Sequence, residues 1–420
     1  MKNKLLDIGG NWREGELSLR QVMKKYPEVS PFVIIKADVQ RRGVEYTERA
    51  LAMVDPDIHL TKVRSDYSNK EDLTPVSLML RDGTSICTSV DVGGNTSSGR
   101  DPYLVDAVDG VSVLIDEDEV IEEVSYWEKP DYHSKTTSRG TPMWHVVSPR
   151  PQRLCIHPHQ HCDFWKTPGH GCKFCAMSAV YHAGNKPELL DVGDILETVN
   201  EALREPGRNV SIFLTGGTLC GGENFLDDEV DYYVDILAGI TKLFGGRRFP
   251  SQLISTAFSK RQLRRLHDNT GLTSYTADLE VLDKAMFDWI CPGKAANIGY
   301  ERWKERLYQA VEIFGKGNVN TGVVVGVELA TPGGFKSEDA ALESILAEAD
   351  ELSSNGVGVV GCVWHVAPGS VFRKQVSPSL EYYIRVAGGF DSIRRKHGIS
   401  VDMDNYRRCG NHPDTDLGRI

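Results

Sequence analysis

The stretch that decides the fold runs from Leu154 to Ser178, LCIHPHQHCDFWKTPGHGCKFCAMS. It begins in a short apolar run, Arg153 to Ile156, that reads as a strand. It continues into a polar loop in which Cys162, Cys172 and Cys175 have the spacing C-x9-C-x2-C. Thiolate is the usual ligand for iron-sulfur iron, and a C-x-x-C turn brings two sulfurs within reach of one cluster. Three such ligands leave one iron of a four-iron cluster open, as a cluster needs if it is to bind a second molecule and not only carry electrons. Other chemistry uses the same residues. C-x-x-C alone can be a zinc knuckle or a redox pair, and Cys155 would complete four thiols for a tetrahedral zinc site.

Downstream of this loop the sequence alternates strand-like and helix-like segments, the pattern of repeated βα units on a parallel sheet. Strands are predicted at Val210 to Leu214, Leu253 to Phe258, Tyr275 to Val281, Asn320 to Glu328 and Val357 to His365. The helices between them fall at Tyr232 to Phe244, Lys260 to His267, Tyr300 to Phe314 and Ser337 to Ser353. Asp191 or Asp194 is placed to cap a helix whose Ile195, Leu196, Val199, Ala202 and Leu203 share one face. Six βα units fit the text better than eight. The expected fold class is therefore α/β, a partial (β/α)6 barrel open on one side, with its chemistry at the C-terminal strand ends.

Upstream, residues 1–127 read as an N-terminal mixed α/β domain, with an apolar strand at Phe32 to Ile35. A hairpin joins Pro75–Leu80 to Ser85–Val90 through the tight-turn pair Asp82-Gly83. Residues 128–150, rich in Pro, Ser, Thr and Gly, read as a linker or wrapping arm. The barrel spans 151–370 and a C-terminal extension spans 371–420. From position alone, residues 1–150 and 371–420 are expected to cap the open side of the barrel.

Composition excludes several classes. In 420 residues, 40% hydrophobic and 25% charged content with a net charge of −11 describes an ordinary globular chain and argues against a general nucleic-acid binder. No apolar run approaches the ~20 residues of a spanning helix. The N-terminus lacks the apolar core of a secretory signal, so the expected location is the cytoplasm, where the nine cysteines stay reduced.

With these motifs in hand, the chain resembles the radical S-adenosylmethionine (SAM) superfamily over roughly residues 150–370, and looks closest to its biotin-synthase-like branch. The resemblance implies that Cys162, Cys172 and Cys175 hold a [4Fe-4S] cluster, whose open iron is chelated by the amine and carboxylate of SAM. Phe174, the aromatic before the last cysteine, also fits. Leu214-Thr215-Gly216-Gly217-Thr218 resembles the turn that contacts the methionine amine, and Glu280 falls where a polar side chain meets the ribose. Gly326 and Glu328, in GVVVGVE, resemble the motif that backs the adenine, and Val366-Ala367-Pro368-Gly369 suits the segment near the base. The nine-residue gap between the first two cysteines departs from the commoner C-x3-C-x2-C.

The resemblance implies a radical SAM enzyme acting on a small-molecule substrate, with an electron donor such as flavodoxin or ferredoxin as partner and neither nucleic acid nor membrane. The alternatives are a radical SAM methyltransferase, a peptide-modifying enzyme and, from another class, a zinc-stabilised binding protein.

Two groups of residues stand outside the family motifs. Cys155, His157, His159 and His161 alternate, so on an extended strand they point to one side, where they could hold a second metal or move protons. Pro158 interrupts that strand, and histidines there can also simply pack. Cys87, Cys220, Cys291, Cys362 and Cys409 lack paired spacing and read as small buried hydrophobes.

Overall fold

The computed structural model describes residues 15–61, 63, 74–87, 98–150, 152–177, 189–400 and 410–419. Two sheets carry the chain. The first contains β1 (Val44–Tyr46), β2 (Ser77–Leu80), β3 (Ser85–Cys87), β4 (Tyr103–Val108), β5 (Val111–Asp116) and β6 (Glu119–Tyr126), in the order β1-β4-β5-β6-β2-β3. The hairpin expected around Asp82-Gly83 is β2–β3, with Leu78 opposite Ile86 and Gly83 at φ +84°.

One expectation fails here. Phe32 to Ile35 is not a strand but part of the helix Pro31–Arg42. Proline at the first helical position is preorganised for a helix start, and Ala37, Gln40, Arg41 and Arg42 are helix formers that carry the helix on past the apolar run. A four-residue apolar run carries too little period to separate the two states. This helix is buried along nearly its whole length, which further hides its face pattern.

The second sheet is the barrel. It consists of β7 (Val147–Arg150), β8 (Arg153–Ile156), β9 (Ser211–Thr215), β10 (Ser251–Ser255), β11 (Ser274–Ala277), β12 (Val319–Val325) and β13 (Gly358–Val363), in the order β13-β12-β11-β10-β9-β8-β7. From β8 to β13 every neighbouring pair is parallel and consecutive in sequence. Each of these six strands is followed by helix before the next begins. The two end strands do not pair with each other, so the sheet is a partial barrel of six βα units. β7 comes from the segment read as a linker; it pairs antiparallel with β8 and carries Pro149, as an edge strand can.

Helix starts follow local chemistry. Asp191, Ser259, Asp283, Ser337 and Ser379 each accept a hydrogen bond from a first-turn backbone N–H. The apolar faces behind them close a single core under the barrel, with Leu154, Ile212, Leu253, Tyr275, Val323 and Val359 from successive strands.

Helix Pro31–Arg42, helix Leu380–Lys396 and the short helix Pro413–Asp416 pack together along β13. Lys36 Nζ meets Asp416 Oδ2 at 2.9 Å and Arg394 Nη1 meets Asp414 Oδ2 at 2.5 Å, all four side chains buried. A buried charge that lost its partner would cost several kcal/mol, so these pairs fix which segments can lie there. No helix among the described residues is long and apolar enough to cross a membrane.

Candidate active site

The strands end earlier than the apolar text does. β10 stops at Ser255, β11 at Ala277 and β12 at Val325, and the remaining residues of each predicted strand become the loops above the barrel. The loops after β8, β9, β10 and β11 enclose a cavity of about 240 Å³. Cys162, Cys172 and Cys175 line it together with Gly216, Gly217, Thr218 and Glu280, so seven of the nine expected site residues share one wall.

The cysteine loop is clamped onto the glycine-rich turn. Asp163 N–H donates to Thr218 O at 2.7 Å, and Cys220 N–H donates to Asp163 Oδ2 at 2.8 Å. Behind the turn, Leu219 N–H donates to buried Glu229 at 2.9 Å, and the hydroxyls of Thr218 and Thr256 meet at 2.7 Å. A Cβ on Gly217 would lie 2.2 Å from His161 O and 2.5 Å from Cys162 Cβ; one on Gly216 would lie 2.9 Å from the His159 ring. By its sequence alone, Gly217 is assigned to the approach of a ligand. The structure adds a nearer reason: only glycine lets the turn touch the cysteine loop.

The thiols resist ionisation as they stand. Burial, with the neighbouring Cys172, pushes Cys162 up to about 11. A hydrogen bond shared with Cys291, and then burial, raises Cys172; burial, with Cys172 and Cys162 beside it, raises Cys175. A bound cation would reverse each of these effects, because a metal-bound thiol is deprotonated outright. Among the described residues no three His, Cys, Asp or Glu side chains draw together as a single-ion site requires. Cys162, Cys172 and Cys175 line one cavity, as ligands of a cluster would if each thiolate bound a different iron. Cys155, needed for a tetrahedral zinc site, faces His157, with its Sγ 3.1 Å from Nε2.

Glu280 is held in an unusual backbone conformation, φ +69°, just beyond β11. Its N–H donates to Gly322 O and its carbonyl accepts from Val324 N–H, which pins the residue to β12. Non-glycine residues rarely adopt positive φ, and strain of this kind persists where the surroundings over-determine it. The side chain receives Lys294 Nζ at 2.7 Å, and the same ammonium donates to Asp278 O at 2.6 Å and lies 4.7 Å from the Trp303 ring centroid. Burial pushes Glu280 up to about 7 against the pull of Lys294, while Glu280 holds Lys294 above its ordinary value despite burial. The proton therefore belongs to the lysine, and the two form an ion pair on the cavity wall.

Gly326 and Glu328 lie elsewhere. Both Glu328 carboxylate oxygens accept from Gly326 N–H at 2.9 Å, and Tyr382 Oη donates to the same carboxylate. Burial pushes Glu328 up to about 7. The pair locks the turn after β12 against helix Leu380–Lys396. The histidine stripe also divides. His157 meets Cys155, His159 packs near Tyr232 and Tyr233, and His161 Nε2 meets Asp163 Oδ1 at 2.6 Å. Lys294, Asp278 and Thr256 line the cavity without having been singled out in the sequence; each is an isolated residue type with no motif around it. Cys409 lies outside the described residues.

No family model matches the chain. A bacteriochlorophyllide c C-7(1)-hydroxylase from Chlorobaculum limnaeum is 24% identical over 285 residues, which cover 65% of this chain and 67% of that protein. Solved structures with similarity include methylornithine synthase (PylB), with TM-score 0.40 and 14% identity over 59% of this chain and 69% of that one. HydG, a maturase of the [FeFe]-hydrogenase, has TM-score 0.40 and 16% identity over 60% and 48%. A radical SAM methyltransferase from Sphaerobacter thermophilus has TM-score 0.41 and 17% identity over 74% and 80%.

Proposed function

We infer that this chain, a radical SAM enzyme with a [4Fe-4S] cluster and SAM as its cofactors, abstracts a hydrogen atom from a small-molecule substrate held at the mouth of the barrel. One observation carries the reading: Cys162, Cys172 and Cys175 line the same cavity as the Gly216-Gly217-Thr218 turn and the strained Glu280, all at the C-terminal ends of parallel strands. When bound, the cluster and SAM supply one-electron cleavage of a sulfonium to methionine and a 5'-deoxyadenosyl radical.

The chain's own residues bind, orient and shield. The three thiolates hold the cluster. The backbone of Gly216 to Thr218 meets the methionine end, where no side chain keeps a ligand away. Glu280, aimed by Lys294, accepts from the ribose hydroxyls. Gly326 and Glu328 act through the turn they lock, which gives the adenine a fixed wall. Phe164, Trp165 and Phe174 line the cavity and limit water near the reacting atoms. The reading keeps the cytoplasmic location and a flavodoxin- or ferredoxin-like donor as expected from the sequence. The name of the hydroxylase relative specifies oxidation at a carbon, which supports C–H oxidation among the possible outcomes.

Anaerobic reconstitution tests this. Brown protein with about four irons per chain, and reductant-dependent release of 5'-deoxyadenosine from SAM, is the expected result. Cys162→Ala, Cys172→Ala and Cys175→Ala should each lose most of the iron and the cleavage. Colourless protein with tightly bound zinc and no SAM cleavage would overturn the reading.

A further inference from the structure

Cys291 reads in the sequence as an inert buried thiol, yet it lies against a cluster ligand. Two backbone hydrogen bonds strap the cysteine loop to the segment between helices Lys284–Ile290 and Pro292–Asn297: Lys173 N–H to Ile290 O at 2.9 Å and Gly293 N–H to His170 O at 2.8 Å. The bonds run in opposite senses and bracket Cys172 opposite Cys291, much like a non-hydrogen-bonded antiparallel pair, the pairing in which side chains approach most closely. Pro292, with no N–H, leaves the second bond to Gly293. Gly293 is also required for the approach, since a Cβ there would lie 2.5 Å from His170 O and 2.8 Å from Phe164 Cβ. Cys291 is fully buried, and the two backbone bonds place its side chain beside that of Cys172.

We propose that Cys291 is a positioning and tuning residue for the cluster, its S–H donating to the Cys172 sulfur and stabilising the reduced state. The inference rests on the cluster assignment above. Once Cys172 is a thiolate on iron it has no proton to give, so only Cys291 can be the donor. Hydrogen bonds to cluster sulfurs are among the factors that set the reduction potential. A donor counteracts the extra negative charge of the reduced cluster and so raises the potential. The cation of Lys294 nearby acts in the same direction and stays in place in every variant below.

The test is an EPR-monitored redox titration of anaerobically reconstituted full-length protein, comparing wild type with Cys291→Val, which keeps an apolar side chain of similar size without a donor, and Cys291→Ser, which keeps a donor. Cys291→Ala serves in place of valine should the branched side chain disturb the loop. Expected are unchanged iron content in all variants, about tenfold less reduced cluster at a fixed poise in the variant without a donor, equivalent to a shift of about 59 mV to more negative potential for one electron, and recovery in Cys291→Ser. Equal potentials for the wild type and the donor-free variant would overturn the proposal. So would loss of iron in both the valine and alanine variants, which would make Cys291 a ligand or a packing residue. Wild-type protein with no [4Fe-4S] signal would instead defeat the cluster assignment itself, so the two failures are distinguishable.

Discussion

Lys294 and Glu280 form an ion pair across the turn after β11, Nζ to Oε1 at 2.7 Å, with side chains only 12% and 17% exposed. The sequence marked the carboxylate alone. The pair means that the glutamate is aimed before any ligand arrives, so under the proposed function ribose recognition and loop stability would share one interaction. Lys294→Met should leave Glu280 buried without its cation, a change worth about 2–3 kcal/mol of stability at this partial exposure. It should also weaken SAM binding by at least about tenfold, as expected for one lost hydrogen bond to a charged group. The double variant Glu280→Gln/Lys294→Met should regain much of the stability but not the affinity. Calorimetry with equilibrium dialysis measures both; additive losses in the double variant would show that the pair is not coupled.

Gly217 makes a second, sharper prediction. Because a Cβ there would lie 2.2 Å from His161 O and 2.5 Å from Cys162 Cβ, Gly217→Ala should displace the cysteine loop as well as the ligand turn. Iron content and SAM binding should fall together. Gly216→Ala meets a histidine ring at 2.9 Å, a neighbour that can shift more readily than backbone, and should keep more of its iron. Full iron retention in Gly217→Ala would contradict the clamped arrangement of loop and turn.

Glu229 gives a pH dependence. It is fully buried beneath the glycine-rich turn, where burial pushes it up to about 8, although the Leu219 and Thr256 contacts pull it down. With the folded value above the ordinary glutamate value of 4.5, its contribution to stability is fully present below about pH 4.5. It is lost as pH rises through about 8. Glutamine cannot ionise but can still accept from Leu219 N–H. The stability difference, Glu229→Gln minus wild type, should therefore grow between pH 5 and pH 9 by an amount on the order of a few kcal/mol. Urea unfolding of the metal-free protein at several pH values measures it, and a difference that does not vary with pH would be evidence against the shifted carboxyl.

How far the sequence could be read depended on whether the signal was local. Arg153–Ile156 is a strand with the expected bounds, because a short apolar run ending in Pro158 and a polar loop leaves few alternatives. Helix Tyr300–Phe314 also follows its periodicity. Phe32–Ile35 went to a helix because its apolar run is shared by both patterns until Pro31 and the residues after Ala37 are weighed. The strand ends at Ser255, Ala277 and Val325 were overrun, since each is followed by apolar residues that stay buried, Phe258, Leu279, Val281 and Val327, which pack into the core instead of meeting solvent. Lys294 and Cys291 were out of reach altogether. Each belongs to the site through a contact more than ten residues away in sequence, and neither residue type carries a pattern that announces it.

The fate of SAM separates the proposed reaction from its main alternative. Radical SAM methyltransferases that use cobalamin commonly carry an additional cobalamin-binding domain, often an α/β domain of alternating parallel strands and helices before the barrel. Among the described residues the first sheet is built differently. Every neighbouring pair except β1–β4 is antiparallel, and β4, β5 and β6 follow one another through tight turns at Asp109-Gly110 and Glu117-Asp118. Helix Pro31–Arg42 beside it is committed to helix Leu380–Lys396 and to Asp416 through buried contacts. An architecture of hairpins, with its helix already packed on β13, fits a structural and shaping role better than an open nucleotide-type crevice. We therefore expect methionine and 5'-deoxyadenosine as the SAM products, with hydrogen taken directly from the substrate. Deuterium at the reacting carbon should then appear in 5'-deoxyadenosine. The decisive measurement is chromatography of the nucleosides after anaerobic turnover with reductant and the native substrate: S-adenosylhomocysteine in stoichiometric amount, with a methylated product, would defeat the assignment.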